Sequence, residues 1–127
     1  MITKLELGGA QKQLLSLIRK LDRKEFQPFL YTAKNGLLIP EASSIVDLTL
    51  EKSRFLERPL NPLKDILALV DIYFFIKKNK ISIVHTHSSK AGILGRLAAR
   101  LAGVKLVLHT VHGWGFDDYQ SILERRL

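Results

Sequence analysis

The sequence predicts an α/β domain, doubly wound around a mostly parallel sheet, and three observations carry that expectation. Short apolar runs alternate with amphipathic stretches along the whole chain, the pattern of successive βα units. Ile81-Ser82-Ile83-Val84, then Ser89 to Ala102, then Val104-Lys105-Leu106-Val107-Leu108 read as strand, crossover helix and parallel strand, a connection that is almost always right-handed. All four histidines follow these two runs, as His85-Thr86-His87 and His109-Thr110-Val111-His112. The carboxyl ends of parallel strands form the ligand crevice of an open sheet, so the placement predicts one shared cleft.

The elements follow in order. Ile2 to Leu5 is a strand stub, Glu6 to Gly9 a turn, and Gln11 to Leu21 a helix with Leu14, Leu17, Ile18 and Leu21 on one face and Lys12, Arg19 and Lys20 on the other. Gln27 to Ala33 is a second strand, Asn35-Gly36 a turn signal, and Ile45 to Leu48 a third strand. Asn61 is a good N-cap with Pro62 in the first helical position. The helix it opens runs to Asn79, with Leu63, Ile66, Leu67, Val70 and Phe74 as its core-facing stripe and Lys77 and Lys78 complementing its dipole. Gly103 closes the crossover helix, whose Gly92, Gly95, Ala99 and Ala102 give it a small-residue face that can lie close on the sheet. Gly113 to Phe116 is a loop, and Asp117 to Leu127 begins a charged helix without a stop signal.

At 127 residues, 46% of them hydrophobic and 25% charged, the chain has the size and balance of one globular domain. Both ends read as cut, because the first strand lacks an apolar start and the last helix runs out. Residues 1–127 are therefore expected to be a single domain incomplete at both ends. There is no cysteine, which excludes disulfides, thiolate nucleophiles and thiolate-held metals. No apolar run approaches the roughly 20 residues of a membrane-spanning helix, and Met1-Ile2-Thr3-Lys4 does not begin a signal peptide. A net charge of +8 and a pI near 9.9 permit anionic partners. No base-reading or base-stacking motif appears, so nucleic acid is not among those expected.

Each chemical motif has a plain alternative. Gly8-Gly9-Ala10-Gln11 joins the first strand to the first helix, where glycines admit positive φ and helix N–H groups face an anion. A tight turn without a ligand accounts for it equally well. Ser88-Ser89-Lys90 opens the crossover helix, placing a capping hydroxyl and a cation beside its N–H groups, although a simple N-cap needs no ligand. His85 and His87 alternate with Thr86 and so point the same way. Three histidines are enough for zinc, and a fragment of a histidine-dependent metal hydrolase is one alternative. A non-catalytic, basic, membrane-associated module is another. Trp114 and Phe116 have the faces to stack on sugar rings or simply to fill the domain edge.

Taken together, Ile2-Thr3-Lys4-Leu5 with Gly8-Gly9-Ala10-Gln11, then Ile83-Val84-His85-Thr86-His87-Ser88-Ser89-Lys90-Ala91-Gly92, then His109-Thr110-Val111-His112-Gly113 resemble the amino-terminal domain of family 4 glycosyltransferases. Bacterial enzymes of capsule, O-antigen or other polysaccharide biosynthesis are the closest in appearance. The resemblance implies a Rossmann-like, partial GT-B fold, with a second, nucleotide-sugar-binding domain missing from this chain. It implies retaining transfer of a hexosyl group from a nucleotide-sugar donor to a polysaccharide or lipid-linked acceptor, with no cofactor and no essential metal. The location implied is cytoplasmic, extending to peripheral contact with an anionic membrane at its inner face. By the same resemblance Gly8 and Gly9 approach the donor diphosphate, and His112 is the catalytic candidate beside the donor sugar. His85, His87, Ser88 and Lys90 line the acceptor side. Residues 1–127 alone are expected to lack turnover.

Overall fold

The computed structural model describes residues 1–6, 8–57 and 59–110. Its elements are α1 (Gly9–Lys20), β1 (Phe29–Ala33), α2 (Ile39–Ser43), β2 (Thr49–Ser53), α3 (Pro62–Lys78), β3 (Ile83–His87), α4 (Ser89–Leu101) and β4 (Leu106–Thr110). β1 pairs in parallel with β2, and β3 with β4.

The amino-terminal stub joins these two pairs. Ile2 N–H donates to the Tyr31 carbonyl (3.1 Å) and Ala33 N–H to that of Thr3 (3.0 Å), on the β1 side. On the other side His87 N–H donates to the Met1 carbonyl (2.9 Å), and the Met1 amino group to that of His85 (2.8 Å). The spatial order is therefore β2, β1, stub, β3, β4, all running the same way. This is the order of a Rossmann half, with its topological switch point between the stub and β3.

Connections that leave the stub in opposite directions along the sheet, with one handedness, place their helices on opposite faces. Leu14, Leu15 and Ile18 of α1 pack with Ala42 of α2 against Ile2 and Leu30 on one face. Ala68, Ile72 and Ile76 of α3 pack with Ala98 and Ala99 of α4 against Tyr31 and Val84 on the other. Leu30 and Tyr31 are neighbours on β1, so the period-two alternation of a single strand feeds both cores.

The helix ends follow local chemistry. The Asn61 side chain accepts from Lys64 N–H (3.2 Å), as an N-cap should. Gly103, at φ 80°, closes α4 in a Schellman turn, with Val104 N–H on the Ala99 carbonyl and Gly103 N–H on that of Arg100. α3 ends in the same hydrogen-bond pattern, Ile81 to Ile76 and Lys80 to Lys77, but there the left-handed residue is Lys80 at φ 52°.

Several expectations are corrected. The third strand lies at Thr49–Ser53, not Ile45 to Leu48. Ile45 instead seals the end of the short helix α2, which the sequence pattern does not announce, and Asp47 turns the chain at φ 60°. β2 is an edge strand with mostly exposed side chains, which is why it is polar and hard to see. Strands β3 and β4 run on through His87 and Thr110, so His85, His87 and His109 belong to the strands and do not follow them. On α1, Leu15 is buried where Leu17 was expected. The largest difference is on α3: Leu63, Ile66, Leu67, Val70 and Phe74 are all exposed, and the buried residues are Ala68, Ile72 and Ile76. The small-residue face of α4 does lie on the sheet, with Gly92 under the His109 ring and Gly95 against Thr86.

Candidate functional site

The switch point carries a cleft of about 450 Å³. Its floor is the end of the stub, Thr3 and Lys4, and the start of α4, Ser88 to Lys90; Gln11 of α1 closes one side, and Leu60 and Ile93 flank the mouth. An open parallel sheet offers a crevice here because the crossover helices leave the switch point on opposite faces.

Thr3 organises the floor. Its hydroxyl accepts from Ala91 N–H (3.1 Å), capping α4 from another segment of the chain, and lies 2.7 Å from the Ser88 hydroxyl, which in turn accepts from Thr3 N–H (3.1 Å). The expected cap is thus corrected: Ser88 sits at the N-cap position but makes no side-chain cap bond, because its hydroxyl is turned to Thr3. Ser88 has φ 88° and ψ 159°, a region that only glycine visits freely, and costs of order 1–3 kcal/mol that its surroundings must offset.

Lys90 is placed in the cleft but not as an isolated cation. Its ammonium lies 2.6 Å from Asp65 of α3 and donates to the Pro59 carbonyl. With side chains only 10% and 19% exposed, this pair ties α4 to the start of α3. Asp65, Leu60 and Ile93 were not singled out in the sequence, and Thr3 and Gln11 stood there only as members of motifs with no role of their own; the fold brings all five to Ser88 and Lys90.

Gly8 is the N-cap of α1, in an extended conformation (φ −154°), and Gly9 begins the helix. Neither uses the left-handed backbone expected of it, and neither lines the cleft. A side chain at Gly8 would strike Gln11, so the turn is kept open for that residue to reach back to the Lys4 carbonyl (3.3 Å). The first turns of both α1 and α4 carry no acidic residue, leaving the positive ends of two helix dipoles uncompensated near the same sheet edge.

The histidines divide between the two faces. His87 is the bridge partner of Ile2 and shares its face, and the His85 and His87 rings stack with centroids 4.2 Å apart, as their spacing predicts. His85 Nε2 lies 2.6 Å from the Thr110 hydroxyl. His109 is on the α4 face, where its Nδ1 meets the Thr86 hydroxyl at 2.7 Å. Neither His85 nor His87 lines the 450 Å³ cleft, so the single shared cleft is corrected for the described residues. Strand alternation sends Thr86 and His109 one way and their neighbours the other. The same division separates His109 from His85 and His87, the set on which the zinc alternative drew, and no cluster of three metal-ligating side chains occurs among the described residues. His112, Trp114, Phe116 and the helix expected from Asp117 lie outside those residues.

The family model for Glycosyltransferase Family 4 matches residues 7–127. The chain belongs to that family. It is 41% identical over 112 residues to the UDP-Gal:alpha-D-GlcNAc-diphosphoundecaprenol alpha-1,3-galactosyltransferase of Escherichia coli. That match takes in 88% of this chain but 28% of the relative, so the chain spans less than a third of the curated protein it matches. Among solved structures, MurG of Acinetobacter baumannii superposes with a TM-score of 0.68 over 98% of this chain and 39% of its own. At 20% identity that likeness shows the fold alone, the α/β architecture with parallel strands expected of this family's chain.

Proposed function

We propose that the protein carrying this family 4 chain transfers a hexosyl group, galactose by its relative, from a nucleoside-diphosphate sugar to a saccharide held on a lipid diphosphate. The observation that carries this is the family match together with 41% identity to an enzyme named for that donor and that acceptor. In the transfer, an acceptor hydroxyl oxygen bonds to the anomeric carbon as the bond from that carbon to the diphosphate oxygen breaks. The hydroxyl's proton passes to the departing diphosphate.

Negative charge grows on the leaving group, and fixed N–H donors can stabilise it without reorganising. Gly8 and Gly9 at the start of α1 serve that role, supported by the uncompensated helix end there. The acceptor lies in the cleft along Ser88 and Lys90, while the stacked His85 and His87, outside the cleft, support the neighbouring strand through Thr110. Lys90, neutralised by Asp65, acts through its position more than its charge. His112 orients the donor sugar, since an imidazole both donates and accepts hydrogen bonds. Peripheral attachment at the inner face of the membrane follows from an acceptor that is itself anchored in lipid.

The test is transfer of labelled galactose from UDP-galactose to a GlcNAc-diphosphate lipid by the intact protein. His112→Ala is expected to lower kcat about a hundredfold with donor binding retained. Undiminished transfer by His112→Ala removes that residue from the site, and absence of transfer from any UDP-hexose by the wild type defeats the proposal.

A further inference from the structure

The Thr3 and Ser88 hydroxyls share one hydrogen bond of 2.7 Å on the floor of the switch-point cleft, and their protons and lone pairs can be counted. Each hydroxyl has one proton to give and two lone pairs to receive. Thr3 Oγ1 accepts from Ala91 N–H (3.1 Å) and Ser88 Oγ from Thr3 N–H (3.1 Å), so the backbone takes one lone pair of each. One proton fills the bond between the two oxygens, and the other is left over.

Burial decides where that proton sits. Thr3 is only 6% exposed, whereas Ser88 is half-buried and lines the cleft. A donor stranded on Thr3 would carry the cost of an unmade bond, so Thr3 donates to Ser88 and the Ser88 O–H is left for the cleft. Both lone pairs of Ser88 are then filled, by the N–H and the O–H of Thr3. Towards a ligand Ser88 is therefore a donor only, polarised by the hydroxyl behind it. It is not placed to act as a base.

The surroundings say what kind of atom this donor meets. Lys90 is matched by Asp65 at 2.6 Å, and Lys4 by Glu6 at 3.4 Å, so both lysines of the cleft already have a carboxylate beside them. An uncharged oxygen suits such a site better than a phosphate. Leu60 and Ile93 give the mouth apolar walls around these few polar groups, the usual make-up of a small-molecule site. The backbone of Ser88 is in a region that glycine adopts freely, yet a serine stands there, held twice by Thr3; strain of this kind collects where a side chain is put to use.

We infer that Ser88 donates a hydrogen bond to an uncharged oxygen of the acceptor saccharide, and that Thr3 is the positioning residue that fixes the direction of this donor. This rests on the lipid-linked acceptor proposed above and gives its sugar a specific contact.

The experiment is calorimetric binding of a short-chain GlcNAc-diphosphate lipid to the intact protein, beside the same lipid diphosphate without its sugar. Thr3→Val keeps the shape and removes the hydroxyl, and Ser88→Gly removes the donor in a backbone that glycine tolerates. Each is expected to weaken binding of the saccharide lipid about tenfold, the worth of one hydrogen bond, with the sugar-free lipid bound as before. The double variant loses no more than either single one, because both remove the same contact. Thr3→Ser restores the hydroxyl and with it the wild-type affinity. In the transfer assay the loss falls on the acceptor KM, with the KM for UDP-galactose unmoved. Thr3→Val and Ser88→Gly that bind the saccharide lipid as the wild type does overturn the proposal, as does a wild type that binds both lipids alike. An equal loss on both lipids puts the hydroxyl on the phosphate and also overturns it, and additive losses remove Thr3 as a positioning residue. Absent wild-type transfer with this binding pattern intact sinks the transferase proposal alone.

Discussion

The two helical layers of this domain use their apolar residues differently. In the layer of α1 and α2, the apolar residues of the helices turn inward, with Leu17 as the one large exception on α1. In the layer of α3 and α4 they point both ways: a slim buried face of Ala68, Ile72, Ile76, Ala98 and Ala99, and a broad outward face of larger side chains. The contrast teaches that helical periodicity marks an apolar stripe without telling whether the domain's own core takes it up. α1 turns its apolar residues to the sheet, whereas α3 keeps a second apolar face exposed on its outer side.

Substitutions break or sharpen this contrast, and the largest effects belong to the buried faces. Leu15→Ala in α1 and Ile72→Ala in α3 are each expected to cost about 2–5 kcal/mol in equilibrium denaturation, because both side chains leave cavities in closed cores. A cost at Ile72 well below that at Leu15 would mean that α3 rests only loosely on the sheet. Next comes the close approach of α4. At Gly92 an added Cβ falls 2.5 Å from the His109 ring, so Gly92→Ala should lose about 1–2 kcal/mol, with overpacking outweighing the helix-propensity gain. A stabilised variant would show that the ring moves aside freely.

The two Schellman ends supply a smaller test in the opposite direction. Gly103 occupies the left-handed position without strain and Lys80 does not, so Lys80→Gly is expected to raise stability by about 1 kcal/mol. Smaller still are the outward positions: Val70→Ser and Phe74→Ser taken singly should change the unfolding free energy by no more than about 0.5 kcal/mol. A loss comparable to that of Ile72→Ala would place the stripe inside the folded protein. The last effect is silent at neutral pH. Burial, with Asp71 and Glu51 adding to it, pushes the Tyr31 phenol up to about 12 from its ordinary 10.0. Its folded value exceeds its unfolded one, so its contribution is complete below pH 10 and declines as pH rises through 12. Tyr31→Phe should flatten that alkaline limb of the stability profile.

Much of this was legible in the residues. Asn61-Pro62 and Gly103 mark helix ends through local backbone chemistry, and the His85-Thr86-His87 spacing places two rings on one side of a strand whatever the surroundings. The fold class and the family were legible for the same reason, since short motifs at strand and helix junctions carry them. The rest depended on contacts distant in sequence. β2 was misplaced because an edge strand has little to bury, and α2 is too short to show a period. The cap on α4 comes from Thr3, some 88 residues away, and the partner of Lys90 from another helix, so no local pattern names either. The α3 stripe was legible as a stripe but not as an outward one, because periodicity has a phase and no direction.

The central claim, that the switch-point cleft receives a lipid-linked saccharide, is tested most directly by photo-crosslinking. A GlcNAc-diphosphate lipid bearing a diazirine near the diphosphate is presented to the intact protein in anionic vesicles. The account predicts label on the peptides carrying Leu60 and Ser88 to Ile93, competed away by the unmodified lipid. Label confined to the opposite face, on α1 and α2, or unaffected by competitor, contradicts it.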